Sequence, residues 1–352
     1  MLTLPKEQTV YRVTKREGFE FIIPAQETLE AEKLGDSQIL IKIKAVSLNY
    51  RDIVIADGRY PFPCKENVVP CSDAVAEVLK VGDDVIDIAV GDRVITNFDM
   101  HLLSGVMKNQ DYCLGGGVDG TLMQYKILPS HSVTKLPKDF PLSDEEAACL
   151  TCAGVTAWNV LYGSADRFVA GQTVLMLGTG GVSTIALALA NAAGARTIIT
   201  SSSDEKLNYV KEKYGADYTV NYRKNPNWEK EVLKITHGEG VDFVVEVGGK
   251  GTITKSLTCL KPGGHIGCIG VLSSSDGNVP NILPMIMGKG AHVRGILVGN
   301  KQLSEELVRF VHAKKIHMPV EKVFGFTEEE VRAAYKHAAS QTQVGKTVIK
   351  VE

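Results

Sequence analysis

From Ile39 to about Pro137, apolar and polar positions alternate over short distances. The segment "ILIKIKAVSL" puts an apolar side chain at every second position, the period of a half-buried strand. "SDAVAEVLKVGDDVIDIAVGDRVITN" reads as strands separated by Gly-Asp and Asp-Asp turns, and "LGGGVDGTLMQYKILPSHSVTKLP" adds further short ones. This stretch predicts a β-rich, barrel-like or sandwich-like domain. At "PLSDEEAACLTCAGVTAWNVLYG" the texture changes. Ser143, with Glu146 three residues on, has the form of a capping box, so a helix is expected to begin there.

An alternating series follows. "QTVLML", "RTIITS", "ADYTVNY", "VDFVVEVGG" and "GGHIGCIGV" read as strands, while "VSTIALALANAAGA", "DEKLNYVKEKYG", "WEKEVLKITHG" and "GTITKSLTCL" read as helices. Strands that alternate with helices pair in parallel through right-handed crossovers, which predicts a doubly wound α/β fold. The tail from Asn300 mixes helix and strand and ends in "GKTVIKVE". That last strand has no evident local partner, so it is expected to return to the first domain. The expected division is residues 1–138 with 299–352 as one discontinuous domain and 139–298 as the other.

Composition narrows the function classes. A chain of 352 residues suggests about two domains, and a formal charge of −2 gives no footprint for nucleic acid or an anionic membrane. Seven scattered cysteines, an odd number, argue against a disulfide scaffold. The N-terminal segment lacks a signal-peptide pattern, and the apolar run from Val182 to Ala193 is interrupted and too short to span a bilayer. A cytoplasmic protein acting on a small molecule is expected, with no nucleic acid or membrane partner.

The chemistry begins at Gly178-Thr179-Gly180-Gly181-Val182-Ser183, which follows one predicted strand and opens a helix. Gly178 permits a tight turn, Gly180 lets backbone approach a pyrophosphate, and Ser183 is small enough for close helix–strand packing. The helix N-terminus offers N–H groups and partial positive charge to phosphate. A carboxylate roughly 20 residues after the first glycine would hold the ribose hydroxyls of NAD. Here Thr200, Ser201, Ser202 and Ser203 occupy that place. Uncharged hydroxyls, Lys206 one turn into the next helix, and Tyr222-Arg223-Lys224 would accept a 2′-phosphate that a carboxylate repels. NADP(H) is therefore the expected cofactor. The alternative is that Asp204 binds the ribose, but it stands two residues late and reads as a helix N-cap.

No metal site is expected. A structural zinc needs closely spaced cysteine pairs, and only Cys113 lies between residues 80 and 140. Cys149 and Cys152 form the single C-x-x-C, inside a predicted helix where packing is the simpler role. His101 and His131 are isolated in the sequence.

"SLNYRD", "GRYPFP", "VPCSDAVAEV", "AVGDRVITN", "CAGVTAW", "LGTGGVS" and "VVEVGG" together resemble the zinc-free, quinone-oxidoreductase-like (zeta-crystallin-like) branch of the medium-chain dehydrogenase/reductase superfamily. The resemblance covers nearly the whole chain. It implies a GroES-like β-rich catalytic domain plus a Rossmann domain, nicotinamide held between them, and a homodimer formed through the nucleotide domains. It places Asn49 and Asp52 near the nicotinamide, Tyr60 as an active-site tyrosine and Thr156 at the nicotinamide end. Val247, Ile269, Gly270, Leu297 and Val298 are expected to complete the cofactor contacts. Ser72 and Asp73 stand where zinc-dependent relatives carry a His-Glu pair. Val54 stands where some quinone reductases have a second tyrosine, which argues against a quinone.

Each catalytic candidate has a plainer role. Asp52 can pair with Arg51 or Arg93, Tyr60 can plug the surface beside Pro61 and Pro63, and Thr156 can cap or pack. The expected reaction is zinc-independent hydride transfer from NADPH to an enone, enal or quinone. The alternatives are an NADP-dependent alcohol dehydrogenase or carbonyl reductase, and a non-enzymatic NADPH sensor or crystallin- or RNA-binding-like protein.

Overall fold

The computed structural model describes residues 4–270, 272 and 280–351. Residues 271 and 273–279 lie outside the described residues. The chain forms two compact units, one running to Val155 and resuming at Gly299, the other comprising Thr156–Val298.

The first unit opens with a ribbon of β1 (Glu7–Val13) and β2 (Ile22–Thr28), paired antiparallel. β3 (Gln38–Ser47) is the centre of its larger sheet, and α1 (Tyr50–Ala56) follows it directly. β4 (Asp73–Val81) pairs antiparallel along the whole of β3, and β5 (Arg93–Thr96) continues the sheet. β6 (Tyr125–Pro129) takes the other edge of β3 at residues 38–42, and β7 (Val133–Lys135) pairs with β5. "VIDIAV" forms no strand: only Ile88 enters the core, while Ile86 is 96% exposed and Val90 63% exposed.

α2 (Asp144–Ala148) starts where the capping box predicts. Ser143 Oγ accepts from Glu146 N–H and Glu146 Oε2 accepts from Ser143 N–H, both at 3.2 Å. Leu150–Gly154 widens into a π-turn before α3 (Val155–Tyr162), so Cys149 precedes and Cys152 lies within irregular backbone rather than a straight helix.

The second unit is a parallel sheet of β8 (Thr173–Met176), β9 (Arg196–Ser201), β10 (Tyr218–Asn221), β11 (Val241–Glu246), β12 (Leu260–Cys268) and β13 (His292–Gly295), in the order β10-β9-β8-β11-β12-β13. The crossovers carry α4 (Gly181–Ala192), α5 (Asp204–Tyr214), α6 (Trp228–Ile235), α7 (Ile253–Thr258) and α8 (Leu283–Lys289). Strand order reverses between β8 and β11, and ligands of such sheets bind beyond the carboxyl ends of the strands near that reversal.

The chain then returns to the first unit through α9 (Lys301–Lys314), β14 (Val320–Phe324), α10 (Glu328–Ala339) and β15 (Lys346–Lys350). β15 pairs parallel with β14, a partner from its own tail that the sequence pattern did not reveal, and antiparallel with β3 at Ala45–Ser47. Its helix α10 buries Tyr335 in the core of this unit, where the Tyr335 hydroxyl lies 3.3 Å from Cys71 Sγ. Among the described residues no helix is long and apolar enough to cross a membrane.

Candidate functional site

In the second unit the expected cofactor residues gather at the carboxyl ends of the strands. Gly178 follows β8 with φ +74°, a conformation that costs a side-chain-bearing residue about 1–2 kcal/mol. Its N–H donates to Thr200 Oγ1 at 3.1 Å, which fixes the turn against β9. Gly180 caps α4 without a side-chain hydrogen bond, and an added Cβ at Gly178 or Gly180 would meet nothing within 4 Å. The space beside Gly178 and Gly180 is thus open, leaving room for a pyrophosphate at the start of α4. Ser183 is buried and donates to Leu177 O at 2.7 Å, holding the helix close to β8. Thr179 is buried, and Gly181 and Val182 form the first turn of α4.

At the end of β9, Ser201 is buried beside half-buried Ser202, and Tyr222 N–H donates to Ser201 O at 3.0 Å. The N-cap of α5 is Ser203, not Asp204: Ser203 Oγ accepts from Lys206 N–H at 3.4 Å. Asp204 Oδ1 instead accepts from Asn221 Nδ2 at 2.7 Å, and its Oδ2 pairs with Lys224. Those contacts engage the Asp204 carboxylate and the Lys224 ammonium with it. Lys206 lies in the first turn of α5.

Val247, Ile269 and Gly270 adjoin one another. Ile269 N–H donates to Glu246 O at 2.8 Å, and a Cβ on Gly270 would stand 2.7 Å from Val247 O. Beyond β13, Leu297 is exposed, and Val298 O accepts from Asn159 Nδ2 at 2.7 Å with Val298 itself at φ +54°. Thr156 is buried near the start of α3. Sequence reasoning passed over Glu246. This buried carboxylate accepts from Gly248 N–H (2.8 Å), Gly249 N–H (3.0 Å), the Thr252 hydroxyl (2.6 Å) and the Ser256 hydroxyl, and so shapes the turn after β11. A lone acid inside "VDFVVEVGG" was its only sequence signal.

In the first unit, Asn49 is the N-cap of α1, and Asp52 Oδ2 accepts its N–H at 2.8 Å. Asp52 makes the capping contact rather than an ion pair with Arg93, which pairs with Asp144 at 2.6 Å. Arg51 donates to Leu114 O and lies 4.2 Å from the Phe98 ring centroid. Tyr60 donates to Gln110 Oε1 and packs edge-on to Phe62. Burial pushes its phenol above the ordinary range against the pull of Arg51, so the proton stays on at neutral pH.

The residue absent from every sequence expectation is Lys346. It is 4% exposed, and its ammonium donates to Leu48 O and Asn49 Oδ1, both at 2.6 Å. Its charge also reaches Asp73, which accepts from the Ser72 hydroxyl at 2.6 Å and from Cys152 N–H at 3.0 Å. Burial raises Asp73 while Lys346 opposes the rise. The Cys152 thiol is pushed up to about 12 by burial and then by Asp73.

These donors do not suit a zinc ion. Zinc binds thiolate, neutral imidazole or free carboxylate. Here no imidazole is part of the cluster, the Asp73 carboxylate already accepts from Ser72 and Cys152, and the Lys346 ammonium supplies the positive charge. His101 and His131, far apart in sequence, lie elsewhere in this unit with Nδ1 and Nε2 3.1 Å apart.

Asp52 gives a pH test. Burial, opposed by Arg51, lifts it from 3.8 to about 6. Between about pH 4 and pH 6 the folded chain keeps a proton that the unfolded chain has released, so stability falls as pH rises through that window. Asp52→Asn removes the buried charge and keeps an acceptor for the Asn49 N–H. Its stability relative to the parent is expected to grow across that window, by up to about 3 kcal/mol. Urea melts at several pH values check this, and a difference independent of pH refutes it.

Residues 35–138 match the family model described as the alcohol dehydrogenase GroES-like domain, and residues 181–313 that described as zinc-binding dehydrogenase. The chain is 44% identical over 341 residues to a zinc-type alcohol dehydrogenase-like protein of Schizosaccharomyces pombe, covering 95% of this chain and 96% of the relative. A 2-haloacrylate reductase of Burkholderia is 29% identical over 333 residues, 90% of this chain and 91% of that protein. A crystal structure assigned as an alcohol dehydrogenase of Sinorhizobium meliloti 1021 superposes with a TM-score of 0.89 at 32% identity, covering 99% of this chain and all of that one. With its GroES-like unit, its Rossmann-type parallel sheet and its NAD(P)-type glycine turn, the chain belongs to the medium-chain dehydrogenase/reductase superfamily of oxidoreductases.

Proposed function

We propose that the protein is a zinc-independent, NADPH-dependent reductase of activated carbon–carbon double bonds, of the enone or enal class. The observation that carries this reading is the buried Lys346 ammonium in a cluster whose other members are poor zinc ligands. Reduction of a simple carbonyl builds a full alkoxide and favours a metal Lewis acid. Conjugate reduction spreads its charge over an enolate, which hydrogen-bond donors can stabilise. Bound reduced nicotinamide supplies the hydride, and the chain's residues orient the acceptor and handle the proton. The Asn49 amide sits between Lys346, whose ammonium its Oδ1 accepts, and Asp73, whose carboxylate it reaches, and would be turned toward an enolate oxygen from there. Tyr60 keeps its phenolic proton and can donate it. The relative named 2-haloacrylate reductase points to the same general chemistry, reduction of an activated carbon–carbon double bond.

Phosphorylated cofactor is favoured by Ser201 and Ser202 in place of an acid, with Asp204 engaged by Asn221 and Lys224. Lys206→Ala is expected to weaken NADPH binding by about tenfold or more, as loss of one charge-assisted contact does, and NADH binding hardly at all. Fluorescence titration with both cofactors checks it, and equal losses would refute the NADP assignment.

A second reading, an alcohol dehydrogenase, is favoured by the name of the 44%-identical relative. Turnover of NADPH with a panel of enones, quinones and aldehydes, with and without a chelator, separates the two. Enone turnover that survives chelation supports the first reading. Aldehyde or alcohol turnover abolished by chelation overturns it in favour of the second. A homodimer in the cytoplasm is part of the proposal, and light scattering that returns a monomer mass contradicts the dimer.

A further inference from the structure

We propose that the nucleotide-binding unit carries a divalent transition-metal site, of the zinc class, formed by Asp166, His265 and His292. One ligand atom from each of these side chains lies within 4.8 Å of the other two, and among the described residues no other group of three His, Cys, Asp or Glu side chains converges this way.

The parallel register builds the site. His265 on β12 faces His292 on β13 as its cross-strand partner, and the rings stand side by side with centroids 4.5 Å apart and planes inclined by 15°. Phe243, the partner of His265 on β11, stacks on its other face at 4.8 Å and 13°. One imidazole is thus clamped between two rings and keeps its orientation without a metal. Asp166 arrives from the loop after α3, where its carbonyl accepts from the Ser164 hydroxyl at 2.8 Å. Phe168 fastens the same loop, donating its N–H to Leu161 O at 2.8 Å and packing edge-on to Phe243.

Two imidazole nitrogens and one carboxylate oxygen make a three-ligand set, and solvent can fill the fourth tetrahedral position because Asp166 and His292 are exposed. The site lies wholly within the nucleotide-binding unit and takes no part in the proposed hydride transfer.

The purified full-length chain, stripped with chelator under reducing conditions, should bind one equivalent of Zn2+ in competition with a chromogenic chelator. Co2+ should give the visible bands of nitrogen–oxygen coordination without thiolate charge transfer. His292→Ala, and separately Asp166→Asn on the exposed loop, should weaken that binding by more than about tenfold, at least what an outer-shell partner is worth to a metal site. Both variants should leave NADPH binding unchanged. Failure of the parent to bind Zn2+, unchanged affinity in both variants, or Co2+ spectra dominated by thiolate would each overturn the proposal. Because the readout is metal binding rather than turnover, it stands or falls separately from the enone-reductase reading.

Discussion

Lys346→Met is expected to lower the folding stability of the first unit by about 3–5 kcal/mol, the usual cost of removing one member of a buried charge cluster. Lys346 is 4% exposed, and its ammonium neutralises a region holding the fully buried Asp73 and the 1% exposed Asp52. Without it, two carboxyls share a low-dielectric region with only Arg51 as counter-charge, and Leu48 O and Asn49 Oδ1 lose their donor. The cost should reside in the orphaned acid as much as in the missing bonds. Adding Asp73→Asn to Lys346→Met should therefore recover about 1 kcal/mol or more, a coupling typical of residues in one network. Urea unfolding of the parent, both single variants and the double variant completes the cycle. A Lys346→Met chain within about 0.5 kcal/mol of the parent, the range of ordinary surface changes, would show that the ammonium is not holding the cluster. Turnover should fall as well, since the freed Asn49 amide can rotate away from its present orientation.

Glu246→Ala is expected to cost the nucleotide-binding unit about 4 kcal/mol. Four donors converge on this one side chain, two of them backbone N–H groups of the turn after β11. Each buried donor left without an acceptor costs about 1–3 kcal/mol, reduced where a hydroxyl can rotate to another partner. Glu246→Gln retains acceptor capacity at one oxygen, so its loss should be less than half as large. The turn carries Val247, so cofactor affinity should fall with stability in the Ala variant. Thermal unfolding with and without NADPH reads both. Equal losses for Ala and Gln would mean that the carboxylate fills space rather than accepting hydrogen bonds.

Local signals were read from the sequence with good fidelity where the interaction spans only a few residues. The Ser143–Glu146 capping box and the Gly178 turn depend on contacts within one helical turn or one loop, so residue type at fixed spacing suffices. The Ser203–Asp204 choice shows the limit of such reading. Both residue types cap helices, and which one takes the cap depends on the backbone at the end of β9 and on Asn221 and Lys224 competing for Asp204. "VIDIAV" failed differently. Its alternation is genuine, but a strand needs a partner edge, and β4 turns away at Val81 before this segment can use one.

The order of elements, the doubly wound class and the positions of the expected cofactor residues at strand ends follow from the sequence itself, because hydrophobic period, glycine punctuation and helix caps act over short distances. Tertiary structure alone decided that Lys346, a charge in a strand that would ordinarily face water, turns inward beside Asn49 and Asp73. It alone set His265 beside His292, since the register of two parallel strands joined by a crossover cannot be read from either strand. The physical reason is common to both. Burial and cross-strand neighbours depend on how distant segments pack, and no window of sequence contains both partners.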